Sequence, residues 1–171
     1  IALYYRLIKT GPNSALFRAR LAELLIAHGR VDQGLSEAAE VLSINPDHAL
    51  AHIVLARLYF SKGLYSLAIN HCRKVLEADA RNARARALLA RAYGARGLHA
   101  TALAELEQAL ASAPNDIEVV LLMGATYQAL DQTDSARKSF ERAAQQHPAS
   151  TLPHIYLGLL HAKLGQTPAA I

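Results

Sequence analysis

The spacing of four glycines constrains this chain more than any other feature. Gly29, Gly63, Gly97 and Gly165 stand 34 residues apart, or twice that. Other positions keep the same register. Tyr59, Tyr93 and Tyr127 recur, as do Leu21, Leu55, Leu89, Met123 and Leu157. A small residue recurs at Gly34, Ala68, Ala102, Ala136 and Ala170, and a proline at Pro12, Pro46, Pro114 and Pro148, with Ala80 in the remaining place. Self-similarity at a period of about 34 residues is the mark of a stacked array of helix hairpins. Residues 83–116 show the unit most clearly: two short helices, a glycine turn between them and a proline turn after them.

The register divides the chain into four whole units, 15–48, 49–82, 83–116 and 117–150, flanked by partial units 1–14 and 151–171. In the first whole unit the helices are expected over about 15–28 and 32–44, ended by Gly29 and by Asn45-Pro46. Glycine accepts the left-handed conformation that closes a helix, and proline cannot continue one. Asp131 stands where the fourth unit should have its glycine, and Asp tolerates that conformation better than most residues. Asp47, Asn82 and Asn115 or Asp116 are candidate N-caps. Pro153 suits the first turn of a helix, and Thr167-Pro168 reads as the start of another.

Composition agrees with this reading. Hydrophobic residues make up 52% of the chain but aromatics only 6%, so packing rests on Ala and Leu, both strong helix formers. The net charge of +4 is mild. One cysteine, Cys72, excludes an intrachain disulfide framework. No run reaches the roughly 18 apolar residues of a membrane span. Small residues pair across each hairpin: Ala22 with Gly34, Ala56 with Ala68, Ala90 with Ala102, Gly124 with Ala136, Gly158 with Ala170. Such pairs let antiparallel helices approach closely. Ala38 occupies a place that is bulky in the later units, so the first hairpin is expected to be looser there.

The set Leu89-Ala90, Tyr93, Gly97, Ala102, Leu106, Ala109 and Pro114 resembles the tetratricopeptide repeat, in register along the whole chain. The tryptophan often found early in the first helix is replaced by Arg18, His52, Arg86, Val120 and His154. This resemblance implies an all-α solenoid, a right-handed superhelix whose concave groove is lined mainly by the first helix of each unit. It also implies protein–protein binding without catalysis.

Helical spacing then gives groove candidates. These are Leu50, Ile53, Arg57 and Phe60 in the second unit, Arg84, Ala87, Arg91 and Ala95 in the third, and Glu118, Leu121, Ala125 and Gln128 in the fourth. The first unit offers Leu16, Ala19, Glu23 and Ile26. Arg81, Arg84, Arg86, Arg91 and Arg96 fall between Asp79 and Glu105 with no acidic residue among them. We read a basic patch in mid-groove beside an apolar strip of Leu50, Ile53 and Phe60. The peptide-binding set is therefore Leu50, Ile53, Arg57, Phe60, Arg84, Ala87, Arg91 and Leu121. Arginine recognises carboxylates through a planar, two-pronged donor set, so the partner should carry acidic and apolar residues. Some family members clamp a chaperone's C-terminal carboxylate at points matching Ala19, Glu23, Val54, Arg84 and Leu88. Only Arg84 is basic, and Glu23 would repel the ligand, so that clamp is not expected.

Other chemistry finds no support in the residues. His48 and His52 are four apart, but HALAH lacks the metalloprotease glutamate. His154 and His161 read as packing or surface residues, and Cys72 as a small buried hydrophobe. Gly94 and Gly97 follow no strand and fit no phosphate loop. Aromatic stacking platforms for RNA are sparse. The expectation is a non-enzymatic scaffold with a protein or peptide partner, no cofactor, metal, nucleic acid or direct membrane insertion, and apolar terminal helix faces covered by end-to-end self-association or by flanking sequence. Its setting would be a bacterial assembly, in periplasm or cytoplasm, such as polysaccharide export or pilus biogenesis. The alternative is the substrate-recruiting arm of an enzyme such as a glycosyltransferase.

Overall fold

The structure is a computed structural model that describes residues 1–10 and 14–165. Among these residues there are ten helices and no strand: α1 (Ala2–Thr10), α2 (Ser14–Ala27), α3 (Val31–Ile44), α4 (Ala49–Ser61), α5 (Tyr65–Ala78), α6 (Ala83–Ala95), α7 (His99–Ser112), α8 (Ile117–Ala129), α9 (Thr133–Gln146) and α10 (Leu152–Lys163). Consecutive pairs α2–α3, α4–α5, α6–α7 and α8–α9 form antiparallel hairpins that stack in chain order. Pro12, Thr167-Pro168 and Ala170 lie outside the described residues.

The hairpin turns share one closure. Arg30, Leu64, Leu98 and Gln132 each donate a backbone N–H to the carbonyl five residues earlier, on Leu25, Tyr59, Tyr93 and Tyr127, at 2.9–3.0 Å. This is a Schellman motif, and it requires a left-handed residue just before the donor. Gly29, Gly63 and Gly97 supply it with φ of 78°, 74° and 76°. Asp131 supplies it in the fourth unit at φ 57°, the one positive-φ residue other than glycine among the described residues.

Between hairpins the N-caps hold with one correction. Asn82 accepts from Ala85 N–H, and Asp116 from Glu118 and Val119 N–H. In the second unit the cap is His48, whose Nδ1 accepts from Ala51 N–H; Asp47 instead donates its backbone N–H to the Asn45 side chain. The register itself places the cap at 48, one period before Asn82.

Three positions per unit make the seam between hairpins. Ala19 meets Val41 and Ala51; Ile53 meets Val75 and Ala85. Ala87, Ala109 and Val119 share the central cluster, and Leu121 with Ala143 the next. Each seam joins a hairpin's two helices to the first helix of its successor, so each unit is buried by its neighbours and not by a central core. Leu21, Leu25, Leu106, Phe140 and Leu160 are fully buried, each contributing about 1.5–3 kcal/mol. Ala38 is fully buried as well.

A polar tie at a fixed offset holds the first three hairpins. Arg18 bonds Glu37 at 2.8 Å and Arg86 bonds Glu105 at 2.5 Å, both 19 residues apart. In the second hairpin the same places hold His52 and His71, whose Nδ1 atoms are 2.8 Å apart. The inter-unit turns are pinned at one recurring carbonyl. His52 Nε2 donates to Pro46 O, and Arg86 donates from Nε and Nη2 to Ala80 O. Val120 cannot donate, and Arg142 of α9 takes the role at Pro114 O, 2.9 Å.

Candidate interaction groove

The first helices of successive hairpins, α2, α4, α6 and α8, lie side by side along one face. Long-range ion pairs mark that face. The Glu23 carboxylate of α2 accepts from Arg57 of α4 at 2.8 Å and from Arg84 of α6 at 3.1 Å, residues 34 and 61 positions away. Arg20 reaches its other oxygen at 3.0 Å. Side chains so distant in sequence meet on one carboxylate because the face is concave. Burial alone would raise the Glu23 pKa. Hydrogen bonds from Arg20 and Arg84 and the charges of Arg84 and Arg57 outweigh it and hold the carboxyl below its usual value.

Arg91 of α6 lies 3.7 Å from Glu118 of α8, and its guanidinium stands 4.8 Å above the Phe60 ring. An exposed cation–π contact of this kind contributes about 0.5–1 kcal/mol. Arg20, Arg57, Arg84 and Arg91 face Glu23 and Glu118, so the mid-groove keeps an excess of positive charge. Arg86 is not part of it. Its pairing with Glu105 and Ala80 O carries it into the hairpin interior, and Arg81 and Arg96 lie at the turns.

Three hollows run along the groove. One of about 390 Å³ lies between α2 and α4, lined by Glu23, Ile26, Ala27, Val54, Arg57, Leu58 and Ser61. A small one of about 130 Å³ is walled by Arg57, Arg84, Arg91 and Glu118 over Ile53 and Leu88. A third of about 220 Å³ includes Phe60, Arg91, Gly94, Leu122, Ala125 and Ala129. Arg57 is shared by the first and second, and Arg91 by the second and third.

The eight sequence-derived groove residues divide on this geometry. Arg57, Arg84 and Arg91 are exposed, and Leu50 and Phe60 half-buried. Ile53, Ala87 and Leu121 are only 4%, 5% and 7% exposed, because their register position is the inter-unit seam. Ile53 still floors the small hollow; Ala87 and Leu121 line none of the three. Val54, Leu88 and Leu122, one residue further round the helix, line the hollows; helical spacing does not select them, although the family's clamp points include Val54 and Leu88. The same one-residue step relates the seam at Ile53 to the groove floor.

Cys72 is buried, which pushes its thiol up to about 12 and leaves it inert. Among the described residues no group of three His, Cys, Asp or Glu side chains could hold a metal ion. No described helix is long and apolar enough to cross a membrane.

Stacked hairpins of equal length, a common turn closure and a concave face of first helices define a helical-repeat scaffold. The chain belongs to the tetratricopeptide repeat family: that family's profile matches residues 1–58, 35–92, 60–126 and 95–152. Solved structures similar to it include TTC0263, a tetratricopeptide protein of Thermus thermophilus, 24% identical over 89% of this chain and 84% of that one, with a TM-score of 0.78. YrrB, a tetratricopeptide protein with an unusual peptide-binding site, is 20% identical over 96% and 85%, TM-score 0.70. The first tetratricopeptide domain of Spaghetti (RPAP3), bound to the HSP90 peptide SRMEEVD, is 26% identical over 68% and 93%, TM-score 0.63. Among curated proteins none matches the chain.

Proposed function

We propose that this chain is a protein–protein interaction scaffold that holds a peptide or helix in the groove of α2, α4, α6 and α8. The convergence of Arg57 and Arg84 on Glu23, with Arg91 beside them, carries this reading: it puts unspent positive charge between two apolar hollows. The partner segment would set a carboxylate among Arg57, Arg84 and Arg91 and apolar side chains to either side, over Val54 and Leu58 and over Phe60 and Leu122. Peptide binding by YrrB and by the RPAP3 domain supports the class of ligand. Glu23 occupies two of the arginines from within, so it competes with a ligand carboxylate. That sets the groove apart from a chaperone-tail clamp.

Titration with acidic amphipathic peptides against an Arg57→Ala/Arg91→Ala variant tests the reading. A loss of about tenfold or more in affinity is expected, and unchanged affinity overturns it. The setting we propose is a larger bacterial assembly, of the kind used in polysaccharide export or pilus biogenesis. A catalytic domain in the same reading frame would instead make the repeats a recruiting arm.

A further inference from the structure

We infer that His48, His52 and His71 form an acid-released latch on the joint between the first two hairpins. Hydrogen-bond chemistry fixes the proton on each ring. The Pro46 carbonyl can only accept, so His52 Nε2, 2.8 Å from it, carries a proton. A neutral imidazole has one N–H, so His52 Nδ1 accepts, and His71 Nδ1, 2.8 Å away, is the donor. His71 Nε2 is then bare. His48 Nδ1 accepts from Ala51 N–H at 3.3 Å and is bare too. The three rings thus tie down the turn between α3 and α4, cap α4 and join α4 to α5, all in their neutral forms.

Acid acts on each tie differently. A proton on His48 Nδ1 abolishes the cap. A proton on His52 Nδ1 makes His52 the donor and obliges His71 to carry its own proton on Nε2; a second proton on the pair sets N–H against N–H. His71 can take one on Nε2 and keep its bond, but the charge then lies against His52, which is 6% exposed. The other groups facing the cluster are Tyr59, stacked on His71, Asp47 of the turn, and Arg73, Lys74 and Glu77 of α5. Histidines are the side chains of this cluster whose ordinary titration falls between pH 5 and 8.

Burial, then the neighbouring His52, lower the pKa of His71; burial lowers that of His48, with a hydrogen bond to its own backbone opposing and His52 adding. The folded chain thus takes up these protons less readily than the unfolded chain. Their contribution to stability is full above pH 6.5 and is lost as pH falls through the lower folded values. The next joint carries Asn82, Arg86 and Glu105 at the same three positions, bonded in the same way, and offers no histidine to protonate.

Amide hydrogen exchange of the whole chain at pH 7.5 and 5.5, corrected for intrinsic rates, tests the latch. Protection should fall severalfold over residues 45–55 and 67–73 and stay level over 79–89. A His48→Asn/His52→Arg/His71→Glu variant, carrying the third unit's residues, should lose the acid response. Equal protection at both pH values in the wild-type chain, or an acid response retained by that variant, overturns the inference. Should the triple variant fail to fold, His48→Asn alone must still reduce the acid response at the start of α4, and an undiminished response there counts against the latch.

Discussion

Gly124 and Phe140 fill one volume. The Phe140 ring lies where a Cβ on Gly124 would stand, and it is fully buried in the cluster of the fourth hairpin. The sequence register pairs Gly124 with Ala136 as a close helix approach. The structure gives the glycine a second duty, since it makes room for the one large aromatic of α9, which also stacks on Tyr156 at 5.0 Å. Gly158 stands at the same repeat position one unit on, and a Cβ there would meet nothing within 4 Å.

The two glycines should therefore respond in opposite directions. Gly124→Ala is expected to cost about 1–3 kcal/mol, because the ring must leave its rotamer or the helices must part. Gly158→Ala should stabilise by about 0.5–1 kcal/mol, since alanine is the better helix former. Chemical denaturation of the two variants decides it, and equal shifts would refute the packing argument.

Arg86 holds both the turn carbonyl of Ala80 and the carboxylate of Glu105, with its side chain 14% exposed. Arg86→Ala leaves both acceptors without their partner, and a loss of about 1–3 kcal/mol is expected. Arg84→Ala, on the open groove, should change stability by less than about 0.5 kcal/mol. Thermal unfolding of the two variants separates a structural arginine from an exposed groove arginine two positions away.

Cys72 should not react with thiol reagents in the folded chain, because its thiolate is suppressed and its sulfur buried. Labelling at pH 8 is expected only after denaturant is added. Rapid labelling of native protein would show that the second hairpin opens far more readily than its packing implies.

The outer faces of the end helices expose Leu3, Tyr5, Leu152, Ile155 and Leu159. We propose that these faces associate end to end. Sedimentation across a concentration series should show an oligomer, abolished by Ile155→Lys/Leu159→Lys. A monomer at every concentration would exclude it.

Helix ends and turns are legible in the sequence because Gly29, Gly63 and Gly97 are obligate left-handed positions and a period cannot hide them. Even Asp131 is readable, on its tolerance of positive φ. The groove is harder. A period identifies equivalent positions but not which way they face, and one residue of rotation separates the seam at Ile53 from the hollow at Val54. The polar ties escape the sequence for another reason. Arg86 looks like a member of a charged run, and only its complement at an offset of 19 residues, repeated as Arg18 with Glu37, can reveal an internal pair. His52 and His71 break the charge pattern, so complementarity alone does not find them.

We propose above all that partners are held on the concave face. Backbone NMR of this 18.5 kDa chain, titrated with an acidic amphipathic peptide, tests it most directly. Shift changes are expected to centre on Arg57, Arg84, Arg91 and the neighbouring residues of α2, α4, α6 and α8. Changes confined to the outer faces of α3, α5, α7 and α9 would contradict it.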